Sequence, residues 1–184
     1  MSWFKKLFGK RQHEETNIYS LVEQLRKDFS KHEGVGVPLA EGEIEAYEEK
    51  IGLRLPPSFR FFLGQFGNGA YWLYGCQPLD STDNPFWLKD VRPNAPDMIP
   101  LDGGGAVAKD SLLCLMTEDS NGGSWCWLTS ERDSNGEWPL AYYEPTEQRL
   151  FYKVPSFVHW LSLLVKNRQE VIRTLDQDER LCLG

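Results

Sequence analysis

"LRLPPSFRFFLGQFGNGAYW", residues 53–72, is the stretch on which the fold turns. Pro56 biases Leu55 toward extended backbone, because the proline ring clashes with a helical conformation in the residue before it. Pro57 then suits the first turn of a helix, where its missing N–H would have had no partner. Phe59, Phe62, Leu63 and Phe66 recur at intervals of three and four and therefore share one helical face. The Gly67-Asn68-Gly69 triplet predicts the exit, since Gly and Asn accept the left-handed backbone of a tight helix end. "AYWLYGCQPL", residues 70–79, follows as a strand rich in aromatics.

Working upstream, Ile18, Leu21, Val22, Leu25 and Phe29 describe one face of an amphipathic helix starting near Thr16. A second helix is signalled by Ile44, Tyr47 and Ile51 among Glu41, Glu43, Glu45, Glu48 and Glu49, with Gly52 placed to stop it. Its acids read as a solvated face, and the early ones suit a helix N-terminus. Working downstream, residues 80–110 carry Pro85, Pro93, Pro96, Pro100 and the triplet Gly103-Gly104-Gly105. They predict mostly loop, with a short edge strand at most.

Strands and turns then alternate through "SLLCLMT", "EDSNGG", "SWCWLTS", "RDSNG", "EWPLAYYE" and "EQRLFYKV", with Asn-Gly turn signals at 121–122 and 135–136. A closing helix opens at Pro155-Ser156 and carries Phe157, Trp160, Leu161, Leu164 and Val165 on one stripe. Helices, a run of antiparallel strands and a final helix make an α+β fold rather than a parallel doubly wound one. The expected organisation is a basic, aromatic segment over 1–15, one domain over 16–175 and a polar tail over 176–184.

The 184 residues suffice for one sizeable core, and a hydrophobic content of 41% is ordinary for a globular chain. Charge is unevenly placed. Lys5, Lys6, Lys10 and Arg11 put +4 into the first twelve residues, so the formal −7 of the chain leaves −11 for residues 13–184. Such a surface repels phosphate backbones and argues against nucleic acid as a ligand, while it favours encounter with a basic protein. Cys76, Cys114, Cys126 and Cys182 are scattered without a CxxC and read as reduced thiols of a cytoplasmic protein. His13, His32 and His159 lie far from any useful cysteine neighbour, so neither zinc nor another cofactor is expected. Trp3, Phe4, Leu7 and Phe8 are too few for a signal-peptide core or a membrane span. Their helical spacing among basic residues is that of an interfacial anchor, and the alternative is a frayed terminus whose aromatics dock on the body.

The segment "EIEAYEEKIGLRLPPSFRFFLGQFGNG" carries a family likeness. A Glu-rich helix leads to Leu-Pro, two spacers, an aromatic, two more residues, Phe-Leu and Asn-Gly, with Leu55, Pro56, Phe59, Phe62, Leu63, Asn68 and Gly69 in those positions. This resembles the SUKH superfamily, which takes in fungal Smi/Knr-type cell-wall regulators and many bacterial toxin-immunity proteins. The likeness extends over about residues 16–166. Phe59 stands where tyrosine is common, and residues 80–110 are long for the family. The resemblance implies a binding protein without shared catalytic apparatus. In bacteria such proteins typically neutralise a toxin, often a nuclease.

One motif points elsewhere. In "DSNGGSWCW", residues 119–127, a Gly-Ser pair near Cys126 is similar to the surroundings of a cysteine-protease nucleophile. Trp125 intervenes, however, and "SWCWLTS" alternates as a strand, with Trp125 and Trp127 on one face and Cys126 and Leu128 on the other. His159, the histidine available as a base, falls off its helix's apolar stripe and toward solvent. Cys126 is therefore expected to pack, and an enzyme is not expected. Gly103-Gly104-Gly105 lacks the Gly-Lys-Ser/Thr of a phosphate loop and reads as a turn.

The expected contact surface is the segment from Asp80 to Asp102. It groups Asp80, Asp83 and Asp90 with Trp87, an acidic and partly apolar patch suited to a basic toxin domain. Two alternatives stand beside the immunity reading. One is a regulatory interaction module held at the inner membrane face by residues 1–12, and the other is a cysteine hydrolase.

Overall fold

The computed structural model describes residues 17–29, 37–67, 86–115, 123–163 and 165. Helix α1 is Ile18–Phe29, α2 is Glu41–Ile51 and α3 is Pro57–Gln65. The strands are β1 (Phe86–Trp87), β2 (Met98–Pro100), β3 (Ala106–Ala108), β4 (Leu112–Cys114), β5 (Ser124–Leu128), β6 (Leu140–Glu144) and β7 (Arg149–Val154). A single helical turn, α4 (Leu88–Val91), follows β1, and the closing helix α5 occupies 157–163. All pairings between these strands are antiparallel. Five of them form one sheet in the order β1-β4-β5-β6-β7, and β2 and β3 make a separate two-stranded sheet. The α+β arrangement expected from the sequence is the one observed.

Local chemistry accounts for the helix ends. The Glu43 carboxylate accepts the Ala40 N–H (2.7 Å), and Gly52 ends α2 with a φ of 69°, which costs a glycine little. In α3, Pro57 takes the first helical position as expected, while Pro56 at the N-cap has no side chain able to cap. Ser156 opens α5: its Oγ accepts the His159 N–H (3.4 Å) and lies 2.9 Å from His159 Nδ1.

The main sheet is buried on both faces. Leu113, Trp125, Trp127, Leu140, Tyr142 and Val154 join one apolar cluster with Leu21, Val22 and Leu25 of α1, Ile44, Tyr47 and Ile51 of α2, Phe59, Phe62 and Leu63 of α3, and Phe157, Trp160 and Leu161 of α5. Aromatic rings dominate its centre: Phe59 lies 5.0 Å from Phe157 and 5.4 Å from Trp127, and Trp125 meets Trp160 edge-on at 6.1 Å. On the other face Leu112, Cys114, Cys126, Leu128, Ala141, Tyr143 and Leu150 pack against Leu88, Ala95, Ile99 and Val107. Among the described residues α1, α2, α3 and α5 thus lie on one side of the sheet and the segment 88–110 on the other.

Over residues 86–110 that covering layer corrects the expectation of mostly loop, and residues 80–85 lie outside the described residues. The short edge strand is present, since Phe86–Trp87 pairs with Leu113 and Cys114. Beyond it lie α4 and the β2–β3 hairpin, the latter turning at Gly104 (φ 97°) and Gly105 (φ 82°). The prolines do not prevent this, because Pro100 ends a strand that pairs on one side only, with β3. Lys109 fastens the layer: its largely buried ammonium donates to the carbonyls of Pro93 (3.0 Å) and Ala95 (2.7 Å) and lies 3.5 Å from Asp97. The predicted strand at 70–79 and the turn at 121–122 lie outside the described residues.

Candidate partner-binding surface

The motif around Leu55 is an interior device. Leu55, Pro56, Phe59, Phe62 and Leu63 are all buried, and Asn68 and Gly69 lie outside the described residues. Glu48 of α2 accepts the Leu55 N–H (2.7 Å) and pairs with Arg60, which also reaches Glu41. The extended Leu-Pro entry is thereby tied to the helix before it.

The cap that Pro56 cannot supply comes from Glu137, in the loop between β5 and β6. Its carboxylate accepts the Ser58 N–H (2.9 Å) and the Ser58 hydroxyl (2.6 Å), placing negative charge at the N-terminus of α3. Asp133 Oδ1 shapes that loop by accepting the N–H groups of Asn135 (2.9 Å) and Glu137 (2.8 Å), and Gly136 takes a φ of 86°. The turn expected at Asn135-Gly136 is therefore also the mount for a helix cap. Sequence reasoning missed this pairing. The sequence showed only that a helix entered through Pro56-Pro57 lacked a cap of its own, with nothing to indicate Glu137 as the group that supplies it.

Cys126 is fully buried, on the covering-layer side of β5 as the strand alternation requires. Its sulfur sits 3.6 Å from that of Cys114, directly across the β4–β5 pair. The hydrogen bond with Cys114 and the loss of solvent push its thiol well above the usual cysteine range, the reverse of what a nucleophile needs. His159 is exposed at the start of α5, on the helix side of the sheet, and engages Ser156. The structure does not bring it to Cys126. Among the described residues no group of histidine, cysteine or acidic side chains is placed to hold a metal ion.

Of the expected contact residues, Trp87 and Asp90 are described, and Asp80 and Asp83 lie outside. Asp90 is exposed on α4. Trp87 is half-buried at the rim of the helix-side core, and the Lys89 ammonium stands 5.8 Å from its ring centroid. Its neighbour in the strand, Phe86, is 40% exposed. Acid is not concentrated here: residues 86–115 carry Asp90, Asp97, Asp102 and Asp110 against Lys89, Arg92 and Lys109. Helix α2 is more strongly acidic, with five glutamates and Lys50, and Glu45 and Glu49 are exposed.

No described helix is long and apolar enough to cross a membrane. No curated protein matches the chain at a significant level. The SUKH_6 family model, described as SMI1-KNR4 cell-wall, matches residues 41–161, from the first residue of α2 to the buried Leu161 of α5. The match spans the motif helix, the covering layer and the whole described sheet, and on it the chain belongs to the SMI1-KNR4 family of the SUKH superfamily.

Proposed function

We propose that the chain is a non-catalytic binding protein of the immunity type, acting in the cytoplasm by occluding a basic toxin domain. Family membership carries the proposal, because SUKH domains resembling this one serve as immunity or cell-wall-related binding proteins. Two features are consistent with it. The −11 body favours steered encounter with a cationic partner, and the cysteine that suggested an enzyme is sealed inside the sheet. The contact surface is assigned to the cluster of Asp80, Asp83, Asp90 and Trp87, with the three aspartates steering association and Trp87 supplying apolar contact.

The second reading, a regulatory interaction module of the cell-wall type, is favoured by the description of the matching family and by the basic aromatic segment at residues 1–12. Kinetics and vesicle binding separate the two. Replacing Asp80, Asp83 and Asp90 by Asn slows association with the toxin domain, and Trp87→Ala speeds dissociation. Glu45→Gln with Glu49→Gln is the control: if it slows association as much, the steering surface is α2 instead. Sedimentation with anionic vesicles in low salt that is lost on deleting residues 1–12 supports the regulatory module.

A further inference from the structure

Cys114 and Cys126 face each other in neighbouring strands, with their sulfurs 3.6 Å apart. The Leu115 N–H donates to the Trp125 carbonyl at 2.7 Å, so Leu115 and Trp125 form a hydrogen-bonded pair of the ladder. In antiparallel sheets such pairs alternate with non-hydrogen-bonded ones, which makes Cys114 and Cys126 a non-hydrogen-bonded pair with an expected Cα separation of about 4.5 Å. That lies within the roughly 4.4–6.8 Å that a disulfide spans. Both thiols are free. The pair has no place in the proposed binding surface, and two facing thiols are more than apolar packing requires.

We infer that Cys114 and Cys126 are a latent dithiol, a modification site at which a small hydroperoxide forms a cross-strand disulfide. Cys114, 7% exposed against 0% for Cys126, is the sulfur an oxidant meets first. Its thiolate attacks the peroxide oxygen, the S–O bond forms as the O–O bond breaks, and water or an alcohol leaves with the thiol's proton. Cys126, a weak nucleophile, then attacks the sulfenic sulfur because that atom is held 3.6 Å from its own. The S–S bond forms, the S–O bond breaks, and the departing hydroxide takes the Cys126 proton as water. Two thiols and one hydroperoxide give one disulfide, one water and one water or alcohol. Burial under Leu88, Ile99 and Val107 makes the first step slow, because the covering layer has to open before the oxidant reaches Cys114. Once made, the bond ties β4 to β5 and restricts the unfolded chain.

The test uses the full-length chain, native, with hydrogen peroxide. It is followed by alkylation under denaturing conditions and tryptic mapping. Both cysteines fall in the peptide 110–132, and exposed Met98, in 90–109, serves as an internal dosimeter. The expected result is a peptide 110–132 lighter by two hydrogens, formed without covalent dimer, restored by dithiothreitol, and accompanied by a reversible rise in melting temperature. The inference is overturned if that peptide is unchanged once Met98 has become sulfoxide. It is equally overturned if the thiols end as sulfinic acids, or if the oxidised protein melts lower than the reduced one.

Discussion

Removing the Glu137 carboxylate tests whether the motif helix depends on a group from the far side of the chain. In Glu137→Ala the Ser58 N–H and hydroxyl lose their acceptors at a site where Ser58 is buried. Hydrogen bonds to a charged group contribute about 1.5–3 kcal/mol each, and helix caps about 0.5–2 kcal/mol. One carboxylate makes both bonds here, and Glu137 is only partly buried, so water can reach part of the vacated space. The expected loss is therefore about 2–3 kcal/mol rather than the sum. Glu137→Gln keeps one acceptor and loses the charge, for about 1–1.5 kcal/mol. Ser58→Ala removes the shorter bond alone and costs about 1.5 kcal/mol. The double variant Glu137→Ala, Ser58→Ala falls short of additivity by about that amount, because the hydroxyl's partner is already gone. Urea unfolding at constant m-value reads these differences. A loss below about 0.5 kcal/mol for Glu137→Ala, or strict additivity in the double variant, refutes the capping argument.

Three further perturbations follow from the same structure. Lys109→Met keeps the aliphatic stem but strips the Pro93 and Ala95 carbonyls of their donor, so it costs about 1–3 kcal/mol and speeds hydrogen exchange across 93–99 before the sheet is affected. Gln148 holds a φ of 53° in an exposed turn, and Gln148→Gly raises stability by about 0.5–1 kcal/mol in the same urea assay. Because the Cys126 thiol is held protonated in the fold, its contribution to stability is full below the free-thiol pKa of about 8.5 and falls as pH rises above it. Cys126→Ser flattens that alkaline decline, and in the unmodified chain thiol-reactive probes reach Cys126 no faster than the covering layer opens.

The helices were legible because their apolar residues repeat. Leu21, Val22 and Leu25, then Ile44, Tyr47 and Ile51, then Phe59, Phe62 and Leu63 are the residues each helix buries. The covering layer was not, since Leu88, Ala95, Ile99 and Val107 stand apart among prolines and glycines with no period to join them. A signal lay in the strands instead. "SWCWL" and "LAYY" are apolar on both faces, and a sheet with one face in water cannot be. Cys126 and Leu128, or Ala141 and Tyr143, needed something to cover them, and among the described residues it is the segment 88–110 that does so. The contact between Glu137 and Ser58 had no local trace, as the two residues are 79 apart and meet only after the sheet forms. Of the candidate surface, Asp90 and Trp87 fall on one short β1–α4 unit. The tryptophan, however, is partly drawn into the core rim and Lys89 dilutes the acid beside it.

The proposed binding role is tested most directly by titrating the purified chain into a candidate toxin domain, one that an adjacent gene encodes, while that domain's activity is followed. Loss of activity ending at one chain per toxin, with intact and active toxin recovered when the complex is dissociated, is the predicted result. Inactivation by substoichiometric amounts of the chain, or toxin that stays fully active in its excess, contradicts it.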